Sequence, residues 1–152
     1  MSDQVTRVCC DASVIVTLIA QERGWEAIHR LVTRPDVQGV LPGPVLAEVV
    51  YVARRKGNTS SGQAIWDTLA SLGLAVKPAT APDLVRAAGL IELSDAHPGP
   101  AAPATGVAPT LSLGDALALA VTERLGLPIV TRDTYWKWLV DEELLSVKVV
   151  VP

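Results

Sequence analysis

The stretch VTRVCCDASVIVTLIA, residues 5–20, decides the fold class of this chain. Val5 to Cys10 is a short apolar run typical of a buried strand, and Ala12 to Ala20 is apolar enough to form a helix that packs directly on a sheet. Asp11 stands at the junction between them. A strand that passes at once into an apolar helix is typical of an α/β fold, and Asp11 lies at the strand end where such folds bind ligands.

The alternation of short apolar strands with helices continues along the whole chain. It predicts a three-layer α/β/α domain around a central, mainly parallel sheet with right-handed crossovers. Further strands are predicted at 37–41, 74–77, 127–131 and 147–151, and further helices at 22–34, 44–56, 61–72, 82–94 and 112–125.

The composition indicates one domain, residues 1–152, with a substantial apolar core, since 49% of the residues are hydrophobic. Charged residues or prolines interrupt every apolar run before the roughly 18 residues of a membrane span, and no leader-like segment precedes the first strand. We therefore expect a soluble, cytoplasmic protein without a membrane association. The net charge of -3 argues against a protein that coats nucleic acid by charge alone.

Residues 95–110 differ in composition from the rest of the chain. They consist largely of Pro, Ala and Gly, with prolines at positions 98, 100, 103 and 109. Proline removes a backbone donor and clashes with the preceding helical turn, so this segment cannot form a long helix or an interior strand. We expect an exposed loop.

Four acidic residues occupy related positions in the predicted elements. Asp11 and Asp133 each follow a predicted strand, whereas Glu48 and Asp115 lie near the starts of predicted helices. Because the carboxyl ends of parallel strands meet at one edge of a sheet, these side chains can converge on one crevice. Carboxylate oxygens are hard ligands, so the pattern predicts a divalent-metal site.

Each acidic residue also has an ordinary structural interpretation. Ser112 and Asp115 have the spacing of a capping box, and Glu48 in a first helical turn suits the helix dipole. Asp133 after a strand can be a plain turn residue. The ordered set of four favours a functional site over four separate coincidences.

The chain resembles the PIN-domain nucleases, and more narrowly the VapC-type toxins of bacterial toxin–antitoxin pairs. The resemblance spans nearly the whole chain. Two features depart from it: the loop before Asp115 is longer, and Trp136 stands where a Phe often follows the last Asp. The matching motifs are, in order, Asp11-Ala12-Ser13, Glu48-Val49, Leu111-Ser112-Leu113-Gly114-Asp115-Ala116 and Thr131-Arg132-Asp133.

The resemblance implies an endoribonuclease that depends on Mg²⁺ or Mn²⁺ and hydrolyses RNA phosphodiester bonds to leave 5′-phosphate and 3′-hydroxyl ends. Ser13 and Thr131 would support the site with their hydroxyls. The residues that would bind the metal and carry the catalysis are Asp11, Glu48, Asp115 and Asp133.

The resemblance also implies partners, namely a cognate antitoxin and a second copy of the chain in a homodimer. A groove for an antitoxin could come from the apolar face of residues 12–20 and from the helices that bear Trp25 and Trp66. The alternative is that these faces belong to the core.

Basic and aromatic residues near the acids are candidates for RNA contacts. Arg54, Arg55 and Lys56 follow Glu48 on one predicted helix, and Arg132 is next to Asp133, so both groups could bind phosphates. The triplet is equally explained by cations at a helix C-terminus. Three aromatic residues could stack on unpaired bases or lie in the core or at a partner contact: Tyr135, Trp136 and Trp138.

Two other classes of protein compete with the nuclease hypothesis. A phosphoacceptor signalling domain also places acids around Mg²⁺ at strand ends, but it needs an acidic pair after the first strand and a Lys after the last. This chain has a single Asp11 after its first predicted strand, and its last residues are Val149-Val150-Val151-Pro152, with no Lys among them. The second alternative is a catalytically silent interaction module.

Overall fold

The computed structural model describes residues 4–152, which contain one five-stranded sheet. All four strand pairs are parallel, as the sequence predicted. Four strands are shorter than predicted, and the last two have only two residues each in the ladder. The strands are, in chain order, β1 (Thr6–Cys10), β2 (Val37–Pro42), β3 (Ala75–Lys77), β4 (Ile129–Val130) and β5 (Val149–Val150).

Seven helices connect and cover the strands in this part of the chain. In the described residues, no helix has both the length and the hydropathy needed to cross a membrane. The helices are α1 (Ala12–Ala20), α2 (Trp25–Val32), α3 (Val45–Arg55), α4 (Gly62–Ser71), α5 (Ala81–Ala96), α6 (Leu113–Leu125) and α7 (Thr134–Asp141).

The strand order, β3-β2-β1-β4-β5, determines where a ligand crevice can form. The chain moves outward from β1 to β2 and β3, and then returns to β4 and β5 on the other side of β1. Because parallel crossovers are right-handed, this reversal places α1 to α4 on one face of the sheet and α5 to α7 on the other. The direction changes between β1 and β4, and a crevice opens there at the carboxyl ends of the strands.

The junction of β1 and α1 forms the centre of the core. Cys9 and Cys10 are fully buried free thiols, and Val14 and Ile15 of α1 are fully buried as well. Complete burial of a Val or Ile side chain contributes about 1.5–3 kcal/mol to the stability of the fold. Because this apolar face of α1 is covered by the core, it is not available as a partner groove, and the core alternative holds for it.

Two helix boundaries differ from the predicted ones for local reasons. Helix α2 begins at Trp25 and not at 22, because Gln21 and Gly24 adopt left-handed backbone conformations (φ of 50° and 92°) that interrupt a continuous helix. Helix α5 continues to Ala96, two residues into the segment predicted as a loop. The first proline there, Pro98, restricts only the residue immediately before it.

Helix α7 was not predicted from the sequence pattern. It has only eight residues and carries three aromatic side chains, which are modest helix formers. Tyr135 and Trp136 are 3% and 0% exposed, so the hypothesis that they stack on RNA bases is wrong for these two residues. Trp138 is half-buried and stacks on Tyr135 with ring centroids 5.8 Å apart.

The segment from 97 to 112 folds back on itself and is held at its base. Paired backbone hydrogen bonds, Gly99 N to Pro109 O and Ala102 N to Val107 O, close it, and residues 100–108 are exposed. The Tyr135 hydroxyl donates to the carbonyl of His97 at 2.8 Å. Both ends of the loop are therefore fixed, because Ser94 Oγ lies 3.0 Å from the Tyr135 hydroxyl and accepts from the backbone N–H of Leu111.

Candidate active site

The four acids predicted from the sequence line one cleft of about 390 Å³ at the carboxyl edge of the sheet, together with a fifth acid, Glu22. Asp11 follows β1 and Asp133 follows β4, the two paired strands at which the chain changes direction. Glu48 lies in the first turn of α3, and Asp115 lies in the first turn of α6. The structure therefore brings together the four acids selected from the sequence, each from a different element.

Asp11 is the most enclosed of the four, with 6% of its surface exposed. Its Oδ2 accepts hydrogen bonds from the hydroxyls of Ser13 at 2.9 Å and Thr131 at 3.0 Å. Each hydroxyl in turn accepts a backbone N–H, from Arg132 and Asp133 respectively. Because each hydroxyl proton is committed to Asp11, these two residues fix the orientation of its carboxylate.

Asp115 and Asp133 each take part in the N-terminal cap of a helix, α6 and α7 respectively. Asp115 Oδ2 accepts from the backbone N–H of Ser112 at 3.0 Å in a reciprocal capping box, and Asp133 Oδ1 accepts from the N–H of Tyr135 at 2.9 Å. The capping interpretation and the site interpretation are thus compatible. Among the described residues, hydrogen bonds engage one carboxylate oxygen of each aspartate, Asp11 included, and the second oxygen can bind a ligand.

The electrostatics of the cleft disfavour four ionised carboxylates. Burial, together with the charges of Asp11 and Asp115, raises the pKa of Glu48 to about 7. Burial also raises the pKa of Asp115 to about 6, although the hydrogen bonds from Ser112 oppose this rise. The pKa of Asp133 is raised by burial and by the charge of Asp11, against its capping hydrogen bond. A bound cation would relieve this repulsion.

The donor set of the cleft suits a hard cation. Its lining includes carboxylates and hydroxyls and, within the described residues, no His or Cys. Oxygen donors of this kind favour Mg²⁺ or Mn²⁺ over zinc. Across residues 4–152, no three His, Cys, Asp or Glu side chains converge closely enough to hold one ion directly. Coordination partly through water, which Mg²⁺ commonly retains, fits this wider spacing.

Comparison with known proteins places this arrangement in a family. The sequence model of the PIN domain matches residues 8–139, a range that includes all four acids. The chain belongs to the PIN-domain family. PIN domains are in general nucleases, and they typically use divalent metals. The five-stranded parallel sheet with helices on both faces is the PIN fold.

Solved structures of toxin–antitoxin proteins share this PIN fold. VapBC2 from Rickettsia felis, bound to a promoter DNA fragment, has a TM-score of 0.67 at 14% identity and covers 96% of this chain and 98% of that chain. FitAcB from Neisseria gonorrhoeae has a TM-score of 0.58 at 16% identity, covering 93% and 95%. A toxin–antitoxin complex from Klebsiella pneumoniae has a TM-score of 0.55 at 17% identity, covering 84% and 87%. No curated protein matches the sequence.

The basic residues of this PIN domain divide between two surfaces. Lys56 and Arg132 line the acidic cleft, whereas Arg54 and Arg55 line a separate groove, so the three residues of the basic triplet do not share one surface. Successive residues of a helix point in directions about 100° apart, which separates the side chains of a basic triplet. Arg55 instead stacks on Tyr51, with its guanidinium carbon 4.2 Å from the ring centroid.

Glu22 also lines the cleft, although its position in the sequence does not predict this. It pairs with Lys56, and its Oε2 lies 3.8 Å from Arg132 Nη1. Arg132 also donates to Thr17 Oγ1 at 2.8 Å. At the rim of the PIN-domain cleft, two positively charged side chains, Lys56 and Arg132, thus lie next to the Glu22 carboxylate. No local pattern marks Glu22, because it lies in the connection between α1 and α2 and meets its partners only through the tertiary fold.

The separate groove lies beside α3 and α4 and is mainly apolar. It has a volume of about 790 Å³ and includes Trp66 and Val50 along its wall, with Arg54 and Arg55 also in its lining. The face bearing Trp66 is therefore accessible, unlike the buried face of α1. Trp25, on α2, is half-buried and packs edge-on against His29.

Proposed function

We propose that this PIN domain is a divalent-metal-dependent endoribonuclease that acts as the toxin of a toxin–antitoxin pair. The observation that carries the proposal is the set of four carboxylates, from four different elements, around one cleft at the switch point of a PIN fold. Family membership supports the nuclease activity. The toxin–antitoxin complexes that share the fold support the biological role.

Four residues would hold the metal: Asp11, Asp115, Asp133 and Glu48. When bound, Mg²⁺ or Mn²⁺ would offset the repulsion between the carboxylates, lower the pKa of a water molecule and stabilise the charge that develops on the phosphate. The second oxygens of the three aspartates, left available by the capping and hydroxyl contacts, are the donors in this proposal.

The remaining chemistry belongs to the side chains of the cleft. Glu48 would complete the metal shell or orient the attacking water, and its carboxylate can accept the proton of that water once it is ionised. The water oxygen bonds to phosphorus, the bond from phosphorus to the 3′ oxygen breaks, and the 3′ oxygen takes up a proton from bulk water. Lys56 and Arg132 are placed to bind flanking phosphates and so to orient the RNA backbone for in-line attack.

Cleavage of a mixed cellular RNA pool tests the activity directly. Purified protein is incubated with Mg²⁺ or Mn²⁺, with EDTA and the Asp11→Asn variant as controls. The nuclease proposal requires discrete cuts that vanish in both controls, and sequencing of the new ends should show 5′-phosphates. Cuts that persist in EDTA, or in the variant, would assign the activity to a contaminant.

A catalytically silent PIN module is the alternative favoured by a specific observation, namely that no three acids in the described residues share one ion directly. Calorimetric titration with Mn²⁺ separates the two. A silent module should bind no ion at this cleft, whereas the nuclease should bind one and lose binding when Asp115 is replaced with Asn. A phosphoacceptor domain is disfavoured by the PIN family match.

For partners, we propose a cognate antitoxin and assembly of the toxin as a homodimer in the cytoplasm. The apolar groove beside α4, with Trp66 in its wall and two arginines in its lining, suits a partner segment that carries both apolar and acidic side chains. Co-expression with the adjacent reading frame followed by co-purification tests the antitoxin. Light scattering of the isolated toxin tests the dimer.

Metal binding should be coupled to pH. In the metal-free protein, Glu48 and Asp115 titrate above their unfolded values, with pKa values of about 7 and 6. The folded state therefore binds more protons than the unfolded state between about pH 4 and 7, and its stability falls as pH rises through that window. We expect the increase in Tm caused by Mn²⁺ to be larger at pH 8 than at pH 5.5, as measured by differential scanning calorimetry.

Glu48→Gln provides the control for this coupling. It removes one of the repelling charges, so the metal-free variant should melt above the metal-free wild type at pH 8, by roughly 2–4 °C for each 1 kcal/mol of relieved repulsion. The difference should vanish near pH 5, where the wild-type Glu48 is protonated. A Tm increment from Mn²⁺ that is the same at pH 5.5 and pH 8 would contradict the coupling.

Because Lys56 and Arg132 line the cleft and Arg54 and Arg55 do not, we expect only the first two to contribute to RNA binding. Lys56→Ala and Arg132→Ala should each raise the Kd for RNA by about tenfold and reduce the salt dependence of RNA binding by about one unit of slope, because each removes a phosphate contact. Arg54→Ala and Arg55→Ala serve as charge-matched controls and should leave both quantities unchanged. Equal effects of all four substitutions, measured by fluorescence anisotropy across a salt series, would contradict the assignment.

A further inference from the structure

We propose that Gly114 is a positioning residue of the acidic site, because the space left by its missing side chain is occupied by the carboxylate of Glu48. This inference rests on the proposed function, since it concerns how Glu48 reaches the other acids. Gly114 itself contacts no substrate in the proposal, and it acts only through Glu48.

The geometry leaves no room for a side chain at position 114. A Cβ atom built on Gly114 would overlap Oε1 of Glu48 and would lie 2.8 Å from its Cδ and 3.4 Å from its Oε2. Real Cβ atoms do not approach other heavy atoms within 3.0 Å. An alanine at this position and Glu48 in its present conformation therefore exclude each other.

Backbone conformation does not explain this glycine. Six glycines of the described residues have a positive φ, the region that favours glycine, and Gly114 is not among them. It lies in the first turn of α6, between the N-cap Ser112 and Asp115, where alanine would form the helix more favourably than glycine. The close approach of Glu48 is the remaining structural reason for glycine here.

The other crowded glycines differ in what they contact. A Cβ on Gly39 would collide with Leu74, and one on Gly99 would collide with Tyr135, both of which are buried parts of the core. At Gly114 the colliding atoms are the end of a flexible, half-buried side chain on α3. The fold can therefore accept an alanine by rotation of Glu48, but that rotation moves the Glu48 carboxylate away from its present place beside Gly114 in the cleft.

The test compares Gly114→Ala with Gly89→Ala, the same substitution within a helix, where a new Cβ would meet only Arg86 Nη1 at 4.0 Å. We expect Gly114→Ala to weaken Mn²⁺ binding and RNA cleavage by about 10- to 100-fold with no loss of Tm, because supporting residues of metal sites have effects of that size. Gly89→Ala should leave both quantities unchanged. Equal Mn²⁺ affinities of the two variants, measured by calorimetric titration, would overturn the inference.

A double-mutant cycle shows whether Gly114 acts through Glu48. In a Glu48→Ala background, Gly114→Ala should cause no further loss of Mn²⁺ affinity, since the displaced carboxylate is already gone. A loss of the same size in both backgrounds would overturn the inference.

A metal-independent readout separates this inference from the proposed function. The ¹³C carboxyl resonance of Glu48, recorded in the metal-free protein, should shift in Gly114→Ala and stay in place in Gly89→Ala. If the wild type binds no Mn²⁺ and cuts no RNA, the proposed function fails, while the resonance still reports whether Gly114 positions Glu48. An unshifted resonance in Gly114→Ala overturns the inference even if the wild type is an active nuclease.

Discussion

Asp11→Asn should lower RNA cleavage by about 10³-fold or more while the protein stays folded. A thousandfold loss corresponds to about 4 kcal/mol of transition-state stabilisation, which is the scale of a metal ligand's contribution. Asn has nearly the same shape, and its amide oxygen can still accept from Ser13 and Thr131, so the local hydrogen bonds survive. The lost charge also relieves the repulsion felt by Glu48, which favours the folded state.

The measurement is the single-turnover rate constant of cleavage at saturating Mg²⁺, with Tm recorded on the same samples. Asp141→Asn is a matched control, because Asp141 is an exposed aspartate whose only partner within residues 4–152 is Lys137, one helical turn away. Its rate constant should equal that of the wild type. An Asp11→Asn variant with more than a tenth of the wild-type rate would remove Asp11 from the proposed site.

Asp83→Asn should have the opposite profile, a loss of stability of about 2 kcal/mol with cleavage unchanged below the melting range. Asp83 is 3% exposed, accepts from the backbone N–H of Thr80, and receives two contacts from Arg124 Nε at 2.9 and 3.0 Å. Hydrogen bonds to charged groups contribute about 1.5–3 kcal/mol. Arg124 is 40% exposed and can be solvated again, so the effect is smaller than for a fully buried pair.

Thermal unfolding across a pH series measures this second prediction. Burial disfavours the Asp83 charge, but the hydrogen bonds from Thr80 and the ion pair with Arg124 outweigh it and lower the pKa. A lowered pKa gives stability that is present above the unfolded value near pH 4 and is lost as pH falls through the folded value. The Tm of the variant should therefore lie about 4–8 °C below the wild type at pH 7 and approach it as the pH falls below the lowered pKa of Asp83. A constant difference at all pH values would exclude the ion pair as the cause.

The fold was largely predictable from the sequence because the spacing of apolar residues clearly distinguishes the strands from most of the helices. The parallel strands and the helices on both sides follow from runs such as residues 5–20. The predictions of secondary structure failed where contacts between distant residues or a special backbone conformation determine the local structure. Helix α7 forms because Tyr135 and Trp136 are buried against the rest of the molecule. The spacing of apolar residues over only eight positions is too short a pattern to predict that burial. The start of α2 depends on the left-handed turn at Gly24.

The candidate site was predictable only in part, for a similar reason. Acids at strand ends and helix starts gather wherever parallel strands share an edge, so their placement around one cleft follows from order and spacing. Side-chain direction does not follow in this way. Arg55 and Lys56 are adjacent in sequence, yet they face different surfaces. Glu22 and Gly114 enter the site through contacts with distant residues, which no local pattern records.

The hydrogen bonds that hold the base of the loop between α5 and α6 have a practical consequence for experiments in cells. Ser94 and Tyr135 fix both ends of the loop, and its backbone pairs once more between Ala102 and Val107. Changes at the exposed turn near Gly106 are therefore insulated from Asp115 and Asp133. This turn is the natural position for an internal epitope or fluorescent label, which would allow the protein to be tracked and captured with both of its termini unmodified.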